Sequence, residues 1–232
     1  MEPGGNFEIQ TNKKHNLVLH EDDEITEKGN KVYFLWAFEL KLGIPDYENY
    51  PDVANPPTRD EKEKKIYETA KQLFHSWEDD ITRAKKKHGE ENVYVRGIEN
   101  VAVYKDFQKA FTDREAIIIV VAAHGWPEGG FEMVHGSTPF YPNYAKQLKN
   151  LKLLVLESCF QGIKANRRLW SQYTNVIMEN IIGWVGLNRE LILQTAIDWN
   201  KGKGISPDIT NDKFHSLREA IEKAETQVIN NP

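Results

Sequence analysis

Cysteine is almost absent from this chain: Cys159 is the only one among 232 residues. A lone cysteine closes no intramolecular disulfide, and without a second thiol it builds no zinc cluster, so a disulfide scaffold and a Cys-rich metal domain are both excluded. Long apolar runs are missing as well, and none approaches the ~18 residues of a membrane-spanning helix. The N-terminus has no basic stretch followed by an apolar one, so no secretion signal is visible, and a cytoplasmic location, or delivery as an effector, is expected. An excess of positive charge is lacking too. The formal net charge is -5, which argues against broad nucleic-acid binding, because that relies on Lys and Arg neutralising several phosphates. The basic clusters Lys85-Lys86-Lys87 and Arg167-Arg168 are short and read as solvated helix faces. No phosphate-binding loop, dinucleotide fingerprint or internal repeat is present.

What is there suffices for a core, with 40% hydrophobic and 11% aromatic residues. The length fits one large α/β domain. Residues 1–30 are charged and poorly hydrophobic, with Leu17-Val18-Leu19 as the only short strand-like stretch, and are expected to form a leader or edge element. The Pro3-Gly4-Gly5 start is compatible with a junction to a larger parent polypeptide. The main domain is then expected over 31–232.

Val32 to Phe38 has the aromatic and branched content of a core strand. A loop with Pro45, Pro51, Pro56 and Pro57 follows. Thr58 with Glu61 has the form of a capping box, and Ile66, Ala70, Leu73, Trp77, Ile81 and Ala84 recur at helical spacing, which predicts one helix to about Lys87. Asn92 to Gly97 reads as the second strand and Lys105 to Asp113 as a short helix. The glycine-flanked segment Phe131 to Val134 suggests a small hairpin before a helix at about Asn143 to Lys149. Ile163 to Asn180 reads as polar and loop-like with some helical content around Leu169, and Ile181 to Gly186 as a fifth core strand or its end. Helices over Arg189–Lys201 and Ser216–Val228 close the chain, the second with Ser216 and Glu219 as a capping box. Strands alternating with helices predict an α/β fold of three layers, a mostly parallel central sheet with helices on both faces.

Two apolar runs carry the chemistry. The first runs from Ala116 through Ile, Ile, Ile, Val, Val, Ala and Ala to His124-Gly125, and the second from Leu151 to Glu157-Ser158-Cys159. Ile- and Val-rich runs of this kind are buried strands of a parallel sheet. Their carboxyl ends share one edge, where open α/β sheets place ligands. A thiol and an imidazole at that edge suggest a cysteine nucleophile with a histidine acid/base. An unperturbed thiol, with a pKa of about 8.5, is only slightly ionised at neutral pH and needs such help. In amide hydrolysis Cys159 would attack the carbonyl, His124 would protonate the leaving amine, and the backbone N–H groups of Gly125 and Cys159 would receive the oxyanion. Alone, a cysteine ending a strand is more often a small core residue; the paired His-Gly is what favours catalysis. His135-Gly136 is assigned to a hairpin turn, and the remaining histidines to surface or packing roles.

These motifs resemble clan CD, the caspase-haemoglobinase fold cysteine peptidases, which include caspases, legumains and CHAT-domain proteases. Their shared pattern is one apolar strand ending in His-Gly and the next ending in Ala-Cys or a close variant. Here the residue before the cysteine is Ser158, and Gly162 stands three positions after it, as in legumain and CHAT sequences. The resemblance implies a caspase-like fold, a protein or peptide substrate, and no cofactor or metal. It further implies that Glu157, two before the cysteine, lines the pocket for the side chain preceding the cut, and Trp184 is carried over as a second substrate-binding residue. A carboxylate there would favour Lys or Arg, or else Asn; in the alternative, Glu157 bonds to loop backbone. Lys164, Arg167 and Arg168 make the segment after Cys159 a site to test for self-cleavage. A catalytically inactive caspase-like binding or regulatory module, with a parent polypeptide or regulatory partner, is the competing reading, as is an effector domain of a larger protein. A thiol hydrolase of another doubly wound family is disfavoured by the absence of a Gly-x-Cys-x-Gly elbow.

Overall fold

Branched aliphatic side chains on both faces of a strand stay buried only when each face of the sheet is covered, and that condition sets the architecture. The computed structural model describes residues 29–38, 59–132, 139–186, 189–203, 207–210 and 213–230. Strand β1 (Lys31–Trp36) is followed by helices α1 (Arg59–His75) and α2 (Glu78–His88), then β2 (Val93–Arg96), α3 (Tyr104–Ala110) and β3 (Ala116–Ala122). Next come the short strands β4 (His124–Gly125) and β5 (Phe131–Glu132), then β6 (Leu153–Glu157), α4 (Lys164–Thr174) and β7 (Ile181–Trp184). Helix α5 (Arg189–Asn200), strand β8 (Ile209–Thr210) and helix α6 (Leu217–Asn230) complete the order. The central sheet runs β2-β1-β3-β6-β7-β8. All its pairs are parallel except β7–β8. The result is the expected three-layer α/β fold.

Alternation divides the strand side chains between two cores. Val32, Phe34, Trp36, Ile118, Val120, Leu153 and Val155 face one helix layer and pack with Leu73, Trp77, Leu193, Trp199, Leu217 and Ile221. Tyr33, Leu35, Ile119, Val121, Leu154 and Leu156 face the other and meet Phe107, Phe111, Leu148 and Trp170. Each fully buried Leu, Ile, Val or Phe contributes about 1.5–3 kcal/mol relative to exposure. Both layers are therefore needed to keep β3 and β6 where they are.

Several expectations are corrected. The long helix predicted to Lys87 is two helices, because the chain turns at Ser76-Trp77. Ser76 Oγ donates back to the Leu73 carbonyl (2.6 Å), and the Trp77 indole is wholly buried against the sheet. The helical content expected around Leu169 is the full helix α4, longer than the loop-like segment from Ile163 suggested. Its inward stripe is Asn166, Trp170 and Thr174, and two polar residues in that stripe conceal the usual apolar periodicity. The helix expected at 143–149 is only a 3₁₀ turn over Pro142–Tyr144. Phe131–Glu132 pairs antiparallel with His124–Gly125, and Phe131 also exchanges backbone hydrogen bonds with Phe140 (3.0 and 2.8 Å), so the expected hairpin is extended by a second antiparallel partner. The short β8 had no sequence signal. At α6, Ser216 Oγ accepts from Glu219 N (3.1 Å), one half of the expected capping box, while Glu219 Oε2 accepts from the N–H of His215, one residue before the cap, at 2.7 Å. Leu17–Leu19, the proline-rich loop, Thr58 and His135-Gly136 lie outside the described residues.

Candidate active site

The β3–β6 register runs from Ile118 opposite Leu153 to Ala122 opposite Glu157. His124 and Cys159 each stand two residues past the end of this pairing, at the carboxyl edge of two adjacent strands. Neighbouring strands lie about 4.8 Å apart, so the register alone puts the two residues in one locality. His124-Gly125 then leaves the main sheet to pair with Phe131-Glu132, which sets the buried Glu132 directly across the ladder from His124. The His124 ring stands edge-on to Phe38, with centroids 5.0 Å apart and planes at 81°. Cys159 is partly exposed and packs against the core that α1, α2, α5 and α6 cover. His124 is partly exposed as well.

Gly125 lies directly on the backbone of Cys159. A Cβ at position 125 would stand 1.9 Å from the Cys159 carbonyl oxygen and 2.7 Å from its nitrogen. Only glycine permits this approach, which brings both proposed oxyanion-donating residues together. After Cys159 the chain turns sharply: Phe160 has φ 64°, a left-handed conformation that is costly for a bulky side chain and is held only by its surroundings. Gly162 explains itself in the same way. Its N–H donates to the Trp184 carbonyl (2.9 Å), and a Cβ there would lie 2.5 Å from the Gly183 carbonyl oxygen. The cysteine loop is thus pressed onto the end of β7.

Two buried amides hold this loop. Gln161 Nε2 donates to the carbonyls of Gly130 (2.9 Å), Cys159 (3.3 Å) and Trp126 (3.5 Å). Gln161 Oε1 accepts from Trp170 Nε1 (2.8 Å). Asn166 Nδ2 donates to the carbonyls of Phe160 (2.9 Å) and Pro127 (3.0 Å).

Glu157 lies one pleat below Cys159 on the same face and is completely buried. Its carboxyl accepts from Trp77 Nε1 (3.2 Å) and Asn200 Nδ2 (2.9 Å). Burial pushes its pKa up to about 8, against the opposing pull of the Asn200 and Trp77 hydrogen bonds. The partners are therefore side chains from the α1–α2 turn and the end of α5, and not the loop backbone of the alternative reading. The register places Trp36, Ala122 and Glu157 in one row across three strands. Trp36 Nε1, Ser158 Oγ and Asn200 Oδ1 in this region are buried without a hydrogen-bond partner among the described residues. Trp184 is also fully covered; its indole donates to Thr195 Oγ1 (3.0 Å) and meets Trp199 edge-on at 6.0 Å.

The structure thus brings together Cys159, His124 and Gly125, with Glu157 beneath them, and puts Trp184 in the core behind β7. Lys164, Arg167 and Arg168 lie on helix α4, so cleavage there would require that helix to unwind. Sequence reasoning missed Gln161, Asn166, Trp77, Asn200 and Glu132. Gln161 alone carried a signal, as a polar residue between two flagged positions; the others act from distant segments or from a ribbon that local patterning did not reveal. Among the described residues no helix is long and apolar enough to cross a membrane. Nor does any group of three or more His, Cys, Asp or Glu among them have an arrangement suited to a metal ion. No family model, curated protein or solved structure matches this chain.

Proposed function

We propose that this chain is a cysteine endopeptidase of the clan CD type, acting through Cys159 and His124 on peptide bonds that follow a basic residue or Asn. The observation that carries the reading is the abutment of Gly125 on the Cys159 backbone at the carboxyl edge of two adjacent parallel strands. The mostly parallel three-layer fold supports it, since the clan CD resemblance implies that fold.

The Cys159 sulfur, as thiolate, attacks the scissile carbonyl carbon and forms a C–S bond. The carbonyl electrons move to oxygen, which the Gly125 and Cys159 N–H groups receive. Collapse of the intermediate breaks the C–N bond, and the His124 imidazolium delivers its proton to the departing amine. A water then gives a proton to His124 and adds to the thioester. Collapse releases the carboxylic acid and returns the thiolate–imidazolium pair.

The complete covering of Glu157 and Trp184 favours a second reading, a closed caspase-like module whose pair is unused. Labelling separates the two. The peptidase reading expects rapid alkylation of Cys159 by a peptide acyloxymethyl ketone, lost in His124→Ala, and cleavage of a peptide library by wild type but not by Cys159→Ala. Slow labelling that ignores His124, with no peptide cut, would establish the module instead.

A further inference from the structure

We propose that Gln161 is the positioning residue that locks the oxyanion side of the site, holding the Cys159 loop and the Gly125 loop in one fixed relation. This rests on the peptidase reading above. The sheet register brings His124 and Cys159 to the same edge, yet the proposed oxyanion donors sit where both chains have already left the main sheet. Something other than the β3–β6 ladder must fix them.

One side-chain amide reaches both loops. Gln161 is wholly buried, and its orientation is dictated by its partners. The Trp170 indole can only donate, so it must face Oε1, and the three carbonyls can only accept, so they must face Nε2. Two of those carbonyls, from Trp126 and Gly130, belong to the turn that directly follows Gly125, and the Trp126 N–H closes that turn onto the Gly130 carbonyl (2.8 Å). The third is the Cys159 carbonyl, the same atom on which Gly125 rests. Gln161 therefore grips the turn and the nucleophile's own peptide from one point. The left-handed Phe160 between them, φ 64°, is the kind of strained residue that persists only when neighbouring contacts over-determine it.

Gln161→Glu is the informative variant. It keeps the volume and the Oε1-type acceptor for Trp170 but turns the donor into an oxygen facing three carbonyls. We expect kcat on the best library peptide to fall about 10- to 100-fold with KM little changed, the mark of lost alignment in the transition state. Alkylation of Cys159 by iodoacetamide forms no oxyanion, and its rate should stay within about threefold of wild type. An unchanged kcat, or a fall in alkylation as large as the fall in kcat, overturns the inference. Trp170→Phe carries the same test if Gln161→Glu does not fold, since it removes the indole that holds the amide while keeping an aromatic ring against Phe131. A smaller drop in kcat in the same direction is expected, and none overturns the inference. A wild type that cleaves no peptide overturns the peptidase reading and this inference with it, and that failure is seen before any Gln161 variant is measured.

Discussion

A Cβ on Gly125 would stand 1.9 Å from the carbonyl oxygen of Cys159, well inside van der Waals contact with backbone that has no freedom to retreat. Gly125→Ala must therefore push the two loops apart. The expected outcome is loss of peptide cleavage by at least about 100-fold, with a fold that circular dichroism still reports as α/β. Wild-type activity in that variant would show that the abutment is not needed for the chemistry.

Removing either member of the proposed pair tests the roles assigned to Cys159 and His124. Cys159→Ala should abolish both cleavage and covalent labelling. His124→Ala should retain the thiol but slow its alkylation at neutral pH, since the thiolate loses its partner. Mass spectrometry of the labelled chain over time reads both effects.

Glu157 should make stability fall as pH rises. Its folded pKa of about 8 lies above the ordinary 4.5, so the folded chain keeps a proton that the unfolded chain releases. Stability attributable to this group is complete below about pH 4.5 and is lost progressively up to about pH 8, by an upper limit on the order of 5 kcal/mol. Glu157→Gln should abolish that slope. Urea midpoints across this range check it; parallel curves for wild type and variant would refute the assignment.

The same protonation bears on specificity. A neutral Glu157 offers no charge to a cation at neutral pH, so cleavage after Asn should outweigh cleavage after Lys or Arg. The balance should move toward the basic residues between about pH 6 and about pH 9. A constant ratio would remove Glu157 from the pocket.

Glu225, on α6, has the opposite slope. Its carboxylate is buried and accepts from Lys87 Nζ (2.7 Å), Arg83 Nη1 (3.3 Å) and, through Oε1, His88 Nε2 (2.9 Å), all from α2. The hydrogen bonds from His88 and Lys87, with the nearby Arg83 charge, outweigh the desolvation that opposes them and hold its pKa down at about 2. Its stabilisation is present above about pH 4.5 and lost as pH falls toward 2. Glu225→Gln should cost roughly 3 kcal/mol at neutral pH, which is several degrees in Tm for a chain of this size, with activity unchanged.

Strands β1, β3, β6 and β7 were legible because burial on both faces leaves an uninterrupted apolar run. Their ends were legible too, which is how His124, Gly125 and Cys159 could be paired before any fold was known. Helix α4 was legible only around Leu169, since its buried stripe includes Asn166 and Thr174, which satisfy hydrogen bonds inside and look like loop residues outside. Trp77 misled in the opposite direction. Its spacing fits a continuous helix, but its indole is committed to Glu157, which lies 80 positions away in sequence, and the chain turns there.

The core strands β1, β2, β3, β6 and β7, the mostly parallel character of the sheet and the residues proposed as a pair follow from the sequence alone, because they depend on local apolar periodicity and on which residue ends each run. Tertiary structure decided what surrounds Cys159. Gly125 against its carbonyl, Gln161 spanning two loops, and Glu157 sealed under Trp77 and Asn200 all join segments distant along the chain. Such contacts form only when helices and sheet close on one another, and burial then converts an ordinary carboxyl or amide into a group with one orientation and one set of partners.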